Sequence, residues 1–229
     1  MQILRQCIPW DRQPLVGMLI DHGLFPLRTI GGYCQPGEIP MRSILPNGAN
    51  TGYYGTSGVS NILTPFGVLK SYAGAGYGSE ITTNTSFYSD DVTSLVCFYK
   101  RGAASGLLIS SCGGAWQVNG TVTLNTDNTL SISANGDVSF TTAAVADGLH
   151  VVVLTNNRTA GVQRVYIDGR RDSTQGASTA QKGFNTSKAW CGNNWSGSAG
   201  VAYFVVVAGI LSEPEIVRWS ANPWQIFQP

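Results

Sequence analysis

From about residue 64 onward the chain repeats short β-branched and aromatic runs separated by Gly- and Asn-containing breaks, at 95–99, 107–110, 116–118, 122–124, 130–134, 138–142, 149–154, 164–167 and 201–210. Residues such as Val, Ile, Thr, Tyr and Phe suit a pleated sheet, because bulk close to the backbone costs little in extended conformation. Gly and Asn accept the positive φ of tight turns. Short strands at such spacing predict an all-β sandwich, and 229 residues give room for one large domain of that kind.

Local patterns sharpen this expectation. Leu130, Ile132 and Ala134 alternate with Thr129, Ser131 and Ser133, and Asn135-Gly136 follows, which predicts a hairpin with one dry and one wet face. The runs 151–153 and 205–207 are instead unbroken Val triplets, as expected of strands covered on both faces. One helix is predicted near the end: Ser212-Glu213-Pro214-Glu215 reads as a capping box, and Asn222-Pro223 stops it. Trp219, Trp224 and Phe227 are then placed to tuck the C-terminus against the sandwich.

The first 45 residues are different. Six prolines (Pro9, Pro14, Pro26, Pro36, Pro40 and Pro46) fall in the first 46 positions against four in the remaining 183. Proline neither donates to a ladder nor continues a helix, so the stretch reads as an extended arm. Trp10, Leu15, Leu19, Phe25 and Ile39 make it more apolar than a solvated tail, and they are the expected assembly contacts. The division predicted is an arm over 1–45 and a β-domain over 46–229.

Charge excludes some partners. Fourteen basic and 13 acidic residues give a net charge of +1, and the basic pairs Lys100-Arg101 and Arg170-Arg171 each adjoin a Gly in an expected turn, so no nucleic-acid footprint is present. The apolar stretch 15–20 is too short to span a bilayer, and 1–23 lacks the order of a secretory signal. Cys7, Cys34, Cys97, Cys112 and Cys191 are odd in number, widely spaced and without a C-x-x-C pair, which points to reduced thiols.

The segment from Asp147, DGLHVVVLTNNRTAGVQRVYIDGRRDST, resembles the hairpin of LamG-like, concanavalin A-type jelly-roll domains. His150, the Val run 151–153, Tyr166 and Asp168-Gly169 occupy the matching places, and Leu149 stands where the family usually has Trp. Trp190-Cys191-Gly192, the run 200–207, Leu211-Ser212 and Glu215-Ile216 are similar to the family's closing section, with Tyr203-Phe204 replacing its usual acidic pair. The resemblance spans about residues 90–227 and is faint over 50–89. The ending 221–227, ANPWQIF, resembles one frequent in jelly-roll proteins of tailed bacteriophages. The resemblance implies a concanavalin A-like jelly-roll sandwich of two antiparallel sheets, here with an N-terminal arm and one short C-terminal helix. It leaves function open, since the fold carries lectins, glycosidases, adhesion modules and structural parts.

Catalytic signatures are missing from the sequence. Glycosidases on such sandwiches need carboxylates paired a few residues apart on one strand, whereas this chain has only four glutamates, Glu38, Glu80, Glu213 and Glu215, the last two explained by the helix start, and no E-x-D-x-E arrangement. There is no G-x-S-x-G, and both histidines, His22 and the strand-initiating His150, read as structural. The Gly74–Ser79 cluster lacks the third Gly of a dinucleotide fingerprint. Asp90, Asp91 and Asp168 are the only candidate metal anchors, and Asp168-Gly169 is explained as a turn. No catalytic residue, metal or cofactor is expected.

Two functions follow. The first is a non-enzymatic virion protein, a head-decoration or tail-associated subunit made without export, contacting copies of itself and other virion proteins through its arm. The alternative is a carbohydrate-binding module for bacterial surface glycans. For it the candidate site is Asn193, Asn194, Trp195 and Ser196, expected in a Gly-rich loop, where an aromatic platform lies beside amide and hydroxyl groups.

Overall fold

The computed structural model describes residues 29–34, 42–43, 49–54, 59–64, 67–72, 78–83, 91–113, 117–134, 137–157, 160–173 and 188–223. These form fourteen strands and one helix. The strands are β1 (Thr29–Cys34), β2 (Arg42–Ser43), β3 (Ala49–Tyr54), β4 (Val59–Thr64), β5 (Gly67–Tyr72), β6 (Gly78–Thr83), β7 (Asp91–Gly113), β8 (Gln117–Leu124), β9 (Leu130–Ala134), β10 (Asp137–Thr141), β11 (Gly148–Asn157), β12 (Val162–Ile167), β13 (Arg170–Arg171) and β14 (Lys188–Ala208). The helix is α1 (Glu213–Ala221).

The sequence predicts short strands throughout, yet β7 and β14 run for 23 and 21 residues. They pair with each other along almost their whole length, from Ala208 opposite Val92 to Lys188 opposite Cys112. A ladder needs neighbours with free backbone groups rather than apolar side chains, so the strand continues through Lys100-Arg101-Gly102 where side-chain patterning predicts a turn. On its far side β7 is joined by β11 over residues 91–100 and by β8 over 106–113. On its own far side β14 is joined by β1 over 203–207 and by β6 over 188–191.

β7 and β14 are therefore a shared two-strand spine. One half carries β11, β12 and β13 on one flank and β1 and β2 on the other. The other half carries β8, β9 and β10 against β7, and β6 and β3 against β14. All pairings are antiparallel, and strands that pass between layers at bulges are the way a continuous sheet curls into a sandwich. β1 and β2 lie inside the stretch read from sequence as an extended arm, so the sheet takes in residues 29–34 and 42–43 of that stretch.

The first half of the spine is dry on both faces. Leu95, Cys97, Val151, Val153 and Tyr166 share one face by register, Val96, Phe98, Val152, Leu154 and Val165 the other, and all ten are buried. Burial of each large apolar side chain supplies roughly 1.5–3 kcal/mol. The second half contributes Ala104, Leu108, Val122, Leu124, Leu130 and Ile132 to the core. Ala134 pairs with Asp137, the register of the two-residue hairpin that Asn135-Gly136 predicts. Cys97 is fully buried as a thiol, as expected of a small apolar residue in mid-strand.

α1 packs on the face that carries Leu95 and Tyr166. Thr93 Oγ1 donates to the Gly209 carbonyl at 2.9 Å and accepts from the Leu211 N–H at 3.0 Å, latching the chain as it leaves β14. The predicted cap is present: the Glu215 carboxylate accepts from both the N–H and the hydroxyl of Ser212, at 2.7 and 2.8 Å, and Pro214 sits in the first turn. Ile216 and Trp219 are the buried side of the helix. Trp224 and Phe227 lie outside the described residues.

Candidate functional site

The predicted glycan contacts sit at a register shift within the β7–β14 spine. Asn193 pairs with Leu107 and Ser196 with Ser105, so Asn194 and Trp195 together oppose the single residue Gly106. Two residues against one is a β-bulge, a device that breaks the alternation of a strand and re-aims a side chain. The sequence places these four residues in a loop; the structure places them within β14 at this bulge. The Gly residues around them, read as loop formers, instead allow an irregular backbone while pairing with β7 keeps the stretch in the ladder.

A second irregularity follows at once. Ser196 opposes Ser105 and Ser198 opposes Arg101, so Gly197 faces Gly102, Ala103 and Ala104. Gly102 has φ +67°, and Arg101, Gly102 and Ala103 are exposed. Here the extra residues fall on β7, whereas at the first bulge they fall on β14, so two register shifts of opposite sense follow each other along the spine. The candidate site thus occupies an irregular stretch of the spine, its corner, where the backbone leaves the regular ladder.

The corner is fastened from below by a buried cation. Lys100 is only 1% exposed, and its Nζ donates to Asp147 Oδ1 at 2.8 Å and to the Gly102 carbonyl at 3.4 Å. The same Asp147 oxygen accepts from the Gly102 N–H at 2.9 Å, which fixes the positive-φ residue. Asp147 itself is 57% exposed, and the hydrogen bonds from Lys100 and Gly102 hold its carboxyl below the usual carboxylate range. Sequence reading put Lys100 beside a Gly in a turn; a buried lysine is tolerated because its charge meets a carboxylate that stays in water. Nothing local to Lys100 signals this, since the partner is 47 positions away.

A second lock lies beside it, on the strand β11. His150, read from sequence as structural, is buried with its ring 5.7 Å from that of Phe98. Its Nδ1 is 2.8 Å from Asp168 Oδ2 and its Nε2 is 2.9 Å from the Ala146 carbonyl. The other Asp168 oxygen accepts from the Val151 N–H at 2.9 Å. Asp168 and Gly169 have φ +51° and +80°, the backbone of a two-residue turn between β12 and β13. Asp168, weighed from sequence as a metal anchor, thus spends both oxygens inside the protein. Among the described residues no cluster of three or more His, Cys, Asp or Glu is arranged to hold a metal ion.

Other expectations fall elsewhere. Asp91 begins β7 opposite Asn157. Trp10, Leu15, Leu19, Phe25 and Ile39, together with His22 and Asp90, lie outside the described residues. Glu213 accepts from the Tyr166 hydroxyl at 3.2 Å and lies 3.9 Å from Arg171, a structural contact between α1 and the sheet. Among the described residues no helix is long and apolar enough to cross a membrane.

A curled, wholly antiparallel sheet with one short helix and a bulged corner defines a lectin-like jelly-roll β-sandwich. Solved structures share it. Trypanosoma rangeli sialidase in complex with the inhibitor DANA is similar with a TM-score of 0.66 at 12% identity, over 86% of this chain and 33% of that one. The binding domain of Paraclostridial Mosquitocidal Protein 1 gives 0.64 at 12%, over 86% and 52%. A structure of botulinum neurotoxin type C, whose cell entry is described as dependent upon interaction with two ganglioside molecules, gives 0.61 at 15%, over 85% and 51%. The chain spans between about a third and about half of the length of these proteins, and at such identities the likeness is one of fold. No family model matches the sequence, and no curated relative matches it.

Proposed function

We propose that this protein is a non-enzymatic, lectin-like module that binds glycans of a bacterial surface, with Asn193, Asn194, Trp195 and Ser196 at the spine corner as its contacts. The observation that carries the reading is the bulge itself, which brings two asparagines, a tryptophan and a serine in succession to an irregular stretch of the spine. Sugar faces stack on aromatic rings and their hydroxyls take amide partners, so this residue set suits a saccharide better than an apolar ligand. The likeness of fold to a toxin binding domain and to a toxin described with gangliosides supports the same class of ligand. The test is a glycan array of bacterial polysaccharides, followed by calorimetry on Trp195→Ala. Loss of at least about tenfold in affinity supports the site, unchanged affinity moves it elsewhere, and no binding by the native chain overturns the reading.

The second reading, favoured by the phage-like ending 221–227 and the apolar, proline-rich composition of residues 1–45, is that the module is a subunit of a bacteriophage particle, in the head decoration or the tail. The two readings are compatible, because a virion protein that displays a lectin-like domain can use it to recognise the host. Immunogold labelling of assembled particles tests this one, and particles without label overturn it.

A further inference from the structure

The connector over residues 142–147 joins β10 to β11 and is tied down at both ends. At its start, the Thr142 N–H donates to the Leu130 carbonyl and the Thr142 hydroxyl accepts from the Leu130 N–H. In its middle the buried Val145 donates its N–H to the Asn128 carbonyl at 2.9 Å. At its end the Ala146 carbonyl meets His150 Nε2, and Asp147 meets Lys100 and Gly102.

The His150 contact differs from the others in depending on a proton. A backbone carbonyl oxygen has no hydrogen to give, and the Asp168 carboxylate already accepts from Val151, so each ring nitrogen faces an acceptor. A neutral imidazole carries one N–H and satisfies only one of them, whereas an imidazolium satisfies both. We propose that His150 is a proton-operated pin: with both nitrogens protonated it ties the Asp168-Gly169 turn to the 142–147 connector, and on losing one proton it lets the connector go at Ala146. The carboxylate keeps the remaining N–H, because a charged acceptor outcompetes a carbonyl. The Nε2 lone pair is then left 2.9 Å from the carbonyl oxygen, a repulsive contact that the connector relieves by moving.

The surroundings set where this happens. Burial, the largest single influence, pushes His150 down, but the hydrogen bond to Asp168, the bond to Ala146 and the charge of Asp168 together outweigh it and raise the group above 6.5. Lys100 on β7 opposes them, its charge answered by Asp147 on the connector. Phe98 supplies an uncharged wall, and where the turn meets α1 Gly169 faces Val217 and Ser220, also uncharged. Because the folded value is raised, the stabilisation is complete below 6.5 and is lost as pH rises through the folded value. The Lys100–Asp147 pair anchors the end of the connector through contacts that do not involve His150.

The experiment is an NMR titration of the full chain from about pH 6 to about pH 9, spanning the ordinary histidine range. It reads both His150 ring nitrogens and the hydrogen-exchange protection of the Val145 amide. The expected result is two protonated nitrogens at the acid end, a midpoint above that of a free histidine, and a fall of at least about tenfold in Val145 protection with the same midpoint. Asp168→Asn, which removes the charged acceptor, should move both midpoints down together. A His150 that is neutral throughout, or a Val145 protection factor that stays flat while His150 titrates, overturns the proposal. Neither outcome depends on a glycan being bound.

Discussion

At the scale of single residues, the molecule places polar groups in its core on very different terms. Lys100 and His150 are buried but answered by acceptors, while Gln163 on β12 is 0% exposed with both amide atoms unpartnered. A buried unsatisfied polar group costs about 1–3 kcal/mol, so the Gln163 amide is a standing loss. Gln163→Met keeps the length and volume and removes the amide. It should raise the unfolding free energy by about 1–2 kcal/mol, read from urea denaturation. An unchanged or lower value would mean that the amide is satisfied, as by an ordered water. Gln163 shows why composition alone misleads: it shares its face of β12 with the buried Val165, and its position in the strand, not its chemistry, buries it.

At the scale of elements, two glycines separate backbone strain from packing. Gly102 at φ +67° has no atom within 4 Å of where a Cβ would stand, whereas at Gly169, φ +80°, a Cβ would lie 3.2 Å from the Val217 Cα and 3.3 Å from the Ser220 Cβ. Gly102→Ala should therefore cost only the left-handed strain, about 1–2 kcal/mol. Gly169→Ala should cost more, about 3 kcal/mol, and shift α1 by a few tenths of an ångström, because the neighbour is helix backbone and cannot swing aside. Thermal melts of the two variants check the order, and the near-UV signal of Trp219, buried on α1, reports the displacement only for Gly169→Ala. The helix and its cap were legible as a local four-residue pattern. The closeness of the β12–β13 turn to α1 was not, since it joins segments about 50 positions apart in chain order, beyond the reach of any sequence period.

At the scale of the whole molecule, the β7–β14 spine decides the shape, and it is held by contacts as distant as Thr93 to Gly209, 116 positions apart. β1 closes one flank of β14, so the segment that can be removed without opening the sheet ends before Thr29. A chain lacking residues 1–28 should fold with unchanged far-UV circular dichroism and be monomeric by light scattering. If those residues embrace a neighbour, the full chain should scatter as an oligomer. Equal masses would confine their role to the same subunit or to a partner not yet added. For the corner site, the Trp195→Ala outcome belongs to this scale too, because the bulge exists only in the pairing of β7 with β14, segments about 90 positions apart.

The sequence by itself determined what short-range chemistry controls: an all-β class from side-chain alternation, the Asp168-Gly169 turn, the hairpin register at Ala134 and Asp137, and a capped helix after β14. Each depends on residues within a few positions of one another. Only the tertiary structure decided that the runs 95–99 and 107–110 belong to one 23-residue strand, that Lys100 is core, and that Asn193 to Ser196 form a bulge at a corner. Those outcomes depend on which distant backbone offers its hydrogen bonds and which distant carboxylate meets a charge. Such partners are chosen by the closing of the sheet, after local preference has been satisfied.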